Sequence, residues 1–234
     1  MSLLEIEDLK GGYGEVDILR GIDFTVDKDE IVTLAGTNGS GKSTLVKALM
    51  GILPRWTGRV AFEGKDLKKV DAEDRIAVGI SYVPQVANVF PSLTVTENLD
   101  VMEGVTEREA RIAEAFAQFP ALADRRRSRA STLSGGERQQ LAFARAMMAK
   151  PRLMVLDEPT ANLSVALVDQ ILSMVTGLRK AGIAVLLVEQ RARQALAISD
   201  RGYIMDSGKV VLSGKADDLL ADERMAELYL GHQI

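Results

Sequence analysis

Short apolar runs separated by turn-forming residues dominate the first third of the chain. The runs at residues 3–7, 19–26 and 59–62 are separated by GGYG, DKDE and EGKD, which are typical of turns or hairpins. This alternation predicts a β region built from hairpins, and we expect an antiparallel β subdomain here.

Three further runs lack the polar alternation of a half-exposed strand. They cover residues 31–35, 153–156 and 184–188, and each predicts a strand buried on both faces. Between the last two, Val168, Ile171, Leu172 and Val175 recur at helical spacing. Strand, helix and strand in this order predict parallel βαβ units with right-handed crossovers, and therefore an α/β core.

The middle of the chain has helical patterns and almost no strand signal. TVTENLDVM, EREARIAEAFAQF and SGGERQQLAFARAMMA follow one another between residues 96 and 148. We interpret this stretch as a helical subdomain inserted between two strands of the α/β core. The sequence thus predicts one domain over residues 1–234, with its core at about 1–88 and 151–234 and the helical subdomain at about 89–150.

The amino-acid composition argues against several classes of function. In 234 residues, 47% are hydrophobic and 26% charged, which is typical of a globular domain, and the net charge of −4 argues against non-specific nucleic-acid binding. With no cysteine and one histidine, His232, neither a thiolate zinc site nor a histidine-based triad is expected. No secretory leader or membrane-spanning run is recognisable, so we expect a cytoplasmic protein that reaches a membrane only through a partner.

The stretch GTNGSGKS directly follows the first buried strand and fits the pattern G-x-x-x-x-G-K-[ST]. Glycines let backbone N–H groups turn inward around phosphate oxygens, and the helix that begins near Lys42 points its N-terminus at the same anion. Lys42 would add a cation, and Ser43 a hydroxyl for Mg²⁺. A chance glycine-rich turn is the weaker alternative. The candidate phosphate-binding residues are Gly36, Thr37, Asn38, Gly39, Ser40, Gly41, Lys42, Ser43 and Thr44.

Two adjacent carboxylates end the buried strand in RLMVLDEP. Ligands of open α/β sheets bind at the carboxyl ends of strands, where Asp157 and Glu158 would lie. Asp157 is a candidate Mg²⁺ ligand, and Glu158 a candidate base for an attacking water. The alternative is a solvated strand end with no site.

LSGGERQQ opens a long predicted helix. Ser134 with Glu137 three residues later predicts a capping box, which alone would explain the serine. Two consecutive glycines weaken a first helical turn, so Gly135 and Gly136 suggest a second anion site at this helix N-terminus. A dimer, in which each subunit closes on the nucleotide of the other, would use both sites.

These motifs resemble the ATP-binding cassette (ABC) superfamily along nearly the whole chain. GTNGSGKS is similar to its phosphate loop, LSGGERQ to its signature, and LMVLDE to its magnesium strand with catalytic glutamate. The resemblance implies that the α/β core is a P-loop NTPase core, with an antiparallel β subdomain and an inserted α-helical subdomain. It also implies ATP and Mg²⁺, with Ser43, Gln85 and Asp157 at the metal. It places Gln85, in YVPQ, also near the attacking water. It places Tyr13 against adenine, where an ordinary turn aromatic is the alternative.

The strand end LLVEQ departs from most members of the superfamily, which have a histidine at the position of Gln190. With QAL, DRGYIM and the closing ELYLG, it is similar to one ATPase subunit of branched-chain amino-acid importers, in which glutamine occupies this position. Gln190 would then replace the histidine in catalysis, although it can carry no charge. LDEPTANLSVAL and Arg191 depart from that subfamily, and Ser164 stands where many members of the superfamily have an aspartate.

The resemblance implies two cassettes closing head-to-tail on two MgATP, on the cytoplasmic face of a membrane. Transmembrane permease subunits, a second ABC ATPase subunit and, indirectly, a solute-binding protein are the implied partners, and nucleic acid is not. Phe90, Leu93 and Val95 would either seat a permease helix or belong to the helical core. A soluble ABC scaffold of the iron–sulfur assembly type is the alternative, and the sequence does not name the solute.

Overall fold

The computed structural model describes residues 2–86, 88–161 and 163–230. In these residues, ten strands form two sheets. The strands are β1 (Ser2–Tyr13), β2 (Val16–Asp27), β3 (Ile31–Gly36), β4 (Arg55–Phe62), β5 (Lys65–Asp66), β6 (Ile80–Val83), β7 (Leu153–Asp157), β8 (Ala184–Glu189), β9 (Arg201–Asp206) and β10 (Lys209–Lys215).

The first sheet is antiparallel, in the order β2-β1-β4-β5. The β1–β2 hairpin turns at Gly14 and Glu15, so the prediction that all of GGYG forms a turn is wrong. Gly11 and Gly12 belong to β1 because they let neighbouring strands approach closely. A Cβ on Gly12 would lie 2.0 Å from the carbonyl oxygen of Val16. The glycines extend both strands beyond the predicted runs.

The second sheet has the order β10-β9-β3-β8-β7-β6. All of its pairs are parallel except β9 with β10. Alternate residues of its central strands enter two separate cores. Val32 and Leu34 pack towards the antiparallel sheet, whereas Met154 and Leu156 pack on the opposite face. The prediction of strands buried on both faces is confirmed.

The described helices are α1 (Lys42–Leu49), α2 (Val95–Asp100), α3 (Arg108–Gln118), α4 (Pro120–Asp124), α5 (Gly135–Met147), α6 (Val165–Lys180), α7 (Ala192–Leu196), α8 (Ala216–Ala221) and α9 (Glu223–Leu230). Helices α2 to α5 all lie between β6 and β7, which are neighbours in the sheet. Their apolar side chains, among them Leu99, Leu122 and Phe143, share one core with Met154 and Leu156. None of the described helices is long and apolar enough to cross a membrane.

This arrangement confirms the predicted fold class, a P-loop NTPase core with an antiparallel β subdomain and an inserted helical subdomain. The boundaries near residues 88 and 151 stay a prediction. Parallel pairing brings three strand ends to one edge of the sheet. Ala35 pairs with Glu189 and Asp157 with Val188, so the loop after β3 faces the carboxylates that end β7 and β8.

Candidate nucleotide-binding site

The loop between β3 and α1 has the backbone geometry of an anion-binding turn. Gly41 is the N-cap of α1 and adopts φ 105°, a left-handed conformation that side chains other than glycine rarely accept. Ser40 is buried, and its hydroxyl has no hydrogen-bond partner within the described protein. The free N–H groups at the start of α1 and this hydroxyl are donors available to phosphate oxygens.

Lys42 lies inside this loop rather than in solvent, with 4% of its surface exposed. Its Nζ donates hydrogen bonds to the carbonyl oxygens of Gly36, at 2.8 Å, and Thr37, at 3.1 Å. The same nitrogen lies 3.5 Å from Oε1 of Glu158. A buried ammonium group is thus held at the centre of the loop, where it can meet an anionic ligand.

Glu158 follows β7 with φ 45°, an uncommon conformation for a residue with a side chain. Its backbone N–H donates to the carbonyl oxygen of Val188 at 2.8 Å, which ties it to β8. The amide Nε2 of Gln85 donates to Oε2 at 3.0 Å. The structure therefore brings together Lys42, Gln85 and Glu158, which are far apart in the sequence.

Asp157 is 6% exposed, and its two carboxylate oxygens have different surroundings. Oδ2 accepts a hydrogen bond from the hydroxyl of Tyr82 at 3.2 Å, whereas Oδ1 is buried with no partner among the described groups. Burial raises the pKa of Asp157, against the opposing effect of the Tyr82 hydrogen bond. Burial also raises the pKa of Tyr82, so its hydroxyl remains a donor. Sequence reasoning missed Tyr82.

An open cavity of about 270 Å³ lies in front of the loop. Tyr13, Asn38, Lys42, Ser43 and Glu158 are among the residues that line it. A free carboxylate oxygen, an exposed serine hydroxyl and an amide oxygen are ligands that Mg²⁺ accepts. The chemistry of Asp157, Ser43 and Gln85 therefore fits the expected cation.

Tyr13 stands at the rim of this cavity with 42% of its surface exposed. Lys47 contacts it twice, because Nζ donates to the hydroxyl at 3.1 Å and lies 5.4 Å from the ring centroid. An exposed ring beside the loop can stack on a planar group, and the contact of Tyr13 with adenine stays a prediction.

The predicted capping box at α5 is confirmed. The N–H of Glu137 donates to Oγ of Ser134 at 3.2 Å, and the N–H of Ser134 donates to Oε2 of Glu137 at 2.8 Å. The hydrogen bond from the backbone of Ser134 is the main cause of the lowered pKa of Glu137.

The two glycines that follow Ser134 have different surroundings. A Cβ on Gly136 would lie 2.8 Å from Cδ2 of Leu167, so packing alone favours glycine there. At Gly135 the nearest atom would be 3.9 Å away, on Leu163. In the described protein, this turn does not line the cavity in front of the phosphate loop. A role for the turn in the site of another subunit stays a prediction.

Glu189, the last residue of β8, and Gln190, which follows it, have different surroundings. Gln190 is exposed, as a residue that meets a ligand or another subunit would be. Glu189 is 2% exposed and accepts hydrogen bonds from the N–H and hydroxyl of Thr160, at 3.1 and 2.7 Å. Burial raises the pKa of Glu189, and the hydrogen bonds from Thr160 oppose this effect. Sequence reasoning missed this pair.

A second cavity, a groove of about 330 Å³, lies along β6, the edge strand, and opens between the core and α5. Phe90, one of its lining residues, is 47% exposed, and the guanidinium of Arg145 lies 4.6 Å from its ring centroid. Val95, in contrast, is fully buried in the helical core. Phe90 is therefore exposed at the groove, whereas Val95 belongs to the helical core, although the sequence left the same two alternatives open for both residues.

A phosphate loop after β3 that faces the carboxylates at the ends of β7 and β8 defines a P-loop nucleotide-binding protein. Comparison with known proteins gives the family. Residues 19–161 match the family model described as "ABC transporter". The chain belongs to this family and is an ATPase of an ABC transporter.

Several relatives match 98% or more of the chain. The high-affinity branched-chain amino acid transport ATP-binding protein BraG of Pseudomonas aeruginosa is 37% identical, over 98% of this chain and 100% of its own length. A probable branched-chain amino acid transport ATP-binding protein, LivF of Archaeoglobus fulgidus, is 40% identical over 98% and 99%. The lipopolysaccharide export system ATP-binding protein LptB of Haemophilus influenzae is 33% identical over 100% and 99%.

A solved structure has the same fold. The ADP conformation of MJ1267, an ATP-binding cassette of an ABC transporter, superposes with a TM-score of 0.87. It is 29% identical in sequence and covers 99% of this chain and 100% of its own.

Proposed function

We propose that this chain is the ATP-hydrolysing subunit of a membrane importer for branched-chain or related amino acids. The observation that carries the proposal is the identity of 37% and 40% to BraG and LivF over 98% of the chain. Gln190 at the end of β8, a position that the sequence resemblance also connects with these importers, supports it.

In the proposed reaction, the loop and Lys42 bind the phosphates of ATP, and Tyr13 contacts adenine. Asp157, Ser43 and Gln85 would hold Mg²⁺, which neutralises phosphate charge when it is bound. Glu158 would accept a proton from the attacking water. Its contacts with Nζ of Lys42 at 3.5 Å and Nε2 of Gln85 at 3.0 Å support this role, because they place the ionised carboxylate beside the phosphate loop.

We further propose that two cassettes close head-to-tail on two ATP molecules. Ser134, Gly135 and Gly136 of each subunit would then contact the nucleotide held by the other, and Gln190 would lie near its own γ-phosphate. ATP contacts made only in the closed dimer shift the population towards it, and hydrolysis removes them. The exposure of Gln190 and the open space beside the half-buried Gly135 support this arrangement.

The groove along β6 is the proposed docking site of a permease subunit. The loop after β6 exposes two apolar side chains, Phe90 in the groove and Val86 nearer to β6, and Gln85 follows β6 by two residues. The chain would thereby bind the cytoplasmic face of a membrane through its partners, which include a second ABC ATPase subunit and, indirectly, a solute-binding protein.

A second candidate is an export system. The observation in its favour is the 33% identity to LptB over the whole chain. The two candidates share the ATPase site and differ in the transported solute, so transport itself must be measured.

The complex purified from native membranes and reconstituted into proteoliposomes tests the proposal. We expect ATP-dependent uptake of radiolabelled leucine, isoleucine or valine. Extraction of lipopolysaccharide without amino-acid uptake would favour export. Recovery of only soluble partners, with none of the chain at the membrane, would favour an ABC scaffold and contradict both.

The Glu158→Gln variant tests the catalytic assignment. It keeps the shape of the side chain and removes the proton acceptor, so we expect ATP binding without turnover and a dimer stable enough for size-exclusion chromatography. Lys42→Ala in the same background is the control, because it removes the phosphate contact and should prevent the dimer. Hydrolysis by Glu158→Gln at the wild-type rate would show that Glu158 is not the base.

A further inference from the structure

One oxygen of the Asp157 carboxylate has a partner and the other has none. Oδ2 accepts the hydroxyl hydrogen of Tyr82 at 3.2 Å, whereas Oδ1 is buried and unpaired within the described protein. A buried carboxylate oxygen that accepts no hydrogen bond destabilises the fold, so a ligand that binds to this oxygen removes that cost and binds more tightly. The geometry thus marks Oδ1 as the oxygen directed at a ligand.

Strand register explains why Tyr82 can make this contact. Tyr82 on β6 pairs with Val155 on β7, and Asp157 is two residues further along β7, so Val155 and Asp157 point to the same face. The Tyr82 ring packs against the core on that face. A phenol ring reaches along the strand to the next position on the face, where its hydroxyl meets Oδ2.

We propose that Tyr82 is a positioning residue of the cation site, which fixes the rotation of the Asp157 carboxylate so that Oδ1 faces the nucleotide-bound cation. This inference rests on the proposed role of Asp157 in binding Mg²⁺. Carboxylate rotation about its Cβ–Cγ bond is otherwise soft, and a hydrogen bond to one charged oxygen restricts it. Tyr82 itself does not touch the cation.

Tyr82→Phe removes the hydroxyl and keeps the ring in the core. The probe is Mn²⁺, titrated by electron paramagnetic resonance in the presence of a non-hydrolysable ATP analogue. We expect the Mn²⁺ concentration at half-saturation to rise roughly tenfold, which corresponds to the loss of one hydrogen bond to a charged group. Affinity for the analogue in EDTA should stay within about twofold of wild type, because Tyr82 does not line the nucleotide cavity.

Tyr203→Phe is the matched control. It also removes a partly buried phenol hydroxyl, one that accepts from the N–H of Thr25 at 3.3 Å and from Arg201 at 3.0 Å, away from Asp157. We expect its Mn²⁺ titration to match wild type even where its melting temperature falls. A lower melting temperature in Tyr82→Phe with wild-type Mn²⁺ binding would reduce Tyr82 to a structural residue and overturn the inference.

Asp157→Asn separates this inference from the proposed function. If Asp157→Asn weakens Mn²⁺ binding strongly and Tyr82→Phe leaves it unchanged, only the role of Tyr82 is refuted. If neither variant changes Mn²⁺ binding, the assignment of Asp157 to the metal fails, and the positioning role fails with it.

Discussion

Alanine substitutions at Gly135 and Gly136 can show whether the Ser134–Gly135–Gly136 turn serves packing within the subunit or contact with another subunit. Alanine at Gly136 would place Cβ 2.8 Å from Cδ2 of Leu167, closer than real Cβ contacts come, whereas alanine at Gly135 has no atom nearer than 3.9 Å. Both glycines lie in the first turn of α5. The pair of variants Gly135→Ala and Gly136→Ala therefore differs mainly in one steric contact.

The expected magnitudes follow from this difference. Each alanine gains up to about 1 kcal/mol of helix propensity over glycine, and this gain cancels in the comparison of the two variants. Overpacking in a core costs about 1–3 kcal/mol, and the cost at Gly136 should fall at the low end because Cδ2 is the end of the half-buried, flexible Leu167 side chain. We expect Gly135→Ala to have a free energy of unfolding equal to or above wild type, and about 1 kcal/mol above Gly136→Ala.

Urea unfolding of the isolated chain measures the difference in stability between the two variants. ATPase activity of the assembled transporter measures whether the turn acts between subunits. Although Gly135→Ala folds well, its methyl group would face the nucleotide of the other subunit, so we expect a strong loss of ATPase activity. Full activity in Gly135→Ala would refute the role of this turn between subunits. A Gly135→Ala variant less stable than Gly136→Ala would refute the packing analysis.

Two further predictions concern the end of β8. The raised pKa of Glu189 means that its stabilising contribution is present below the ordinary pKa of 4.5 and is lost as pH rises through the raised value. The amide oxygen of Glu189→Gln can still accept hydrogen bonds from Thr160 but does not titrate. Urea unfolding between pH 4 and 8 should therefore show the loss of stability in wild type and not in Glu189→Gln. The same pH dependence of the free energy of unfolding in both proteins would contradict the prediction. Gln190→His places a group with a pKa of about 6.5 at the proposed γ-phosphate position and should add a titration near that pH to the ATPase rate, absent in wild type. Superimposable rate profiles would show that position 190 does not contact the reacting phosphate.

The fold was predictable from the sequence where burial is strong and local. The runs at residues 153–156 and 184–188 lie within β7 and β8, and the apolar helical pattern around Ile171 lies in α6. The ends of β1 and β2 were not predictable, because Gly11 and Gly12 have a low strand propensity and are accepted there only through close approach of neighbouring backbones. That approach is a tertiary property, which no local pattern contains.

The site residues were likewise predictable from the sequence only where the signal is local. Lys42, Asp157 and Glu158 belong to contiguous motifs, and the structure brings Lys42 and Glu158 together as the motifs predict. Tyr82 was missed because its significance depends on the register between β6 and β7, which pairs it with Val155. Glu189 left a signal, a charged residue at the end of a fully buried strand, but its partner Thr160 lies 29 positions away.

Glu189 and Gln190 together show how one strand end can serve two purposes. The backbone of Glu158 has an uncommon φ of 45°, which persists only if its surroundings hold it. On one side, its N–H is bonded to Val188 of β8 at 2.8 Å, and on the other, Thr160 is bonded twice to Glu189 of the same strand. The buried Glu189 therefore fixes the loop that carries Glu158, and the next residue, Gln190, remains exposed for a ligand. Because β8 ends at Glu189 and the chain bends at Gln190, two polar residues in succession supply one anchor and one contact.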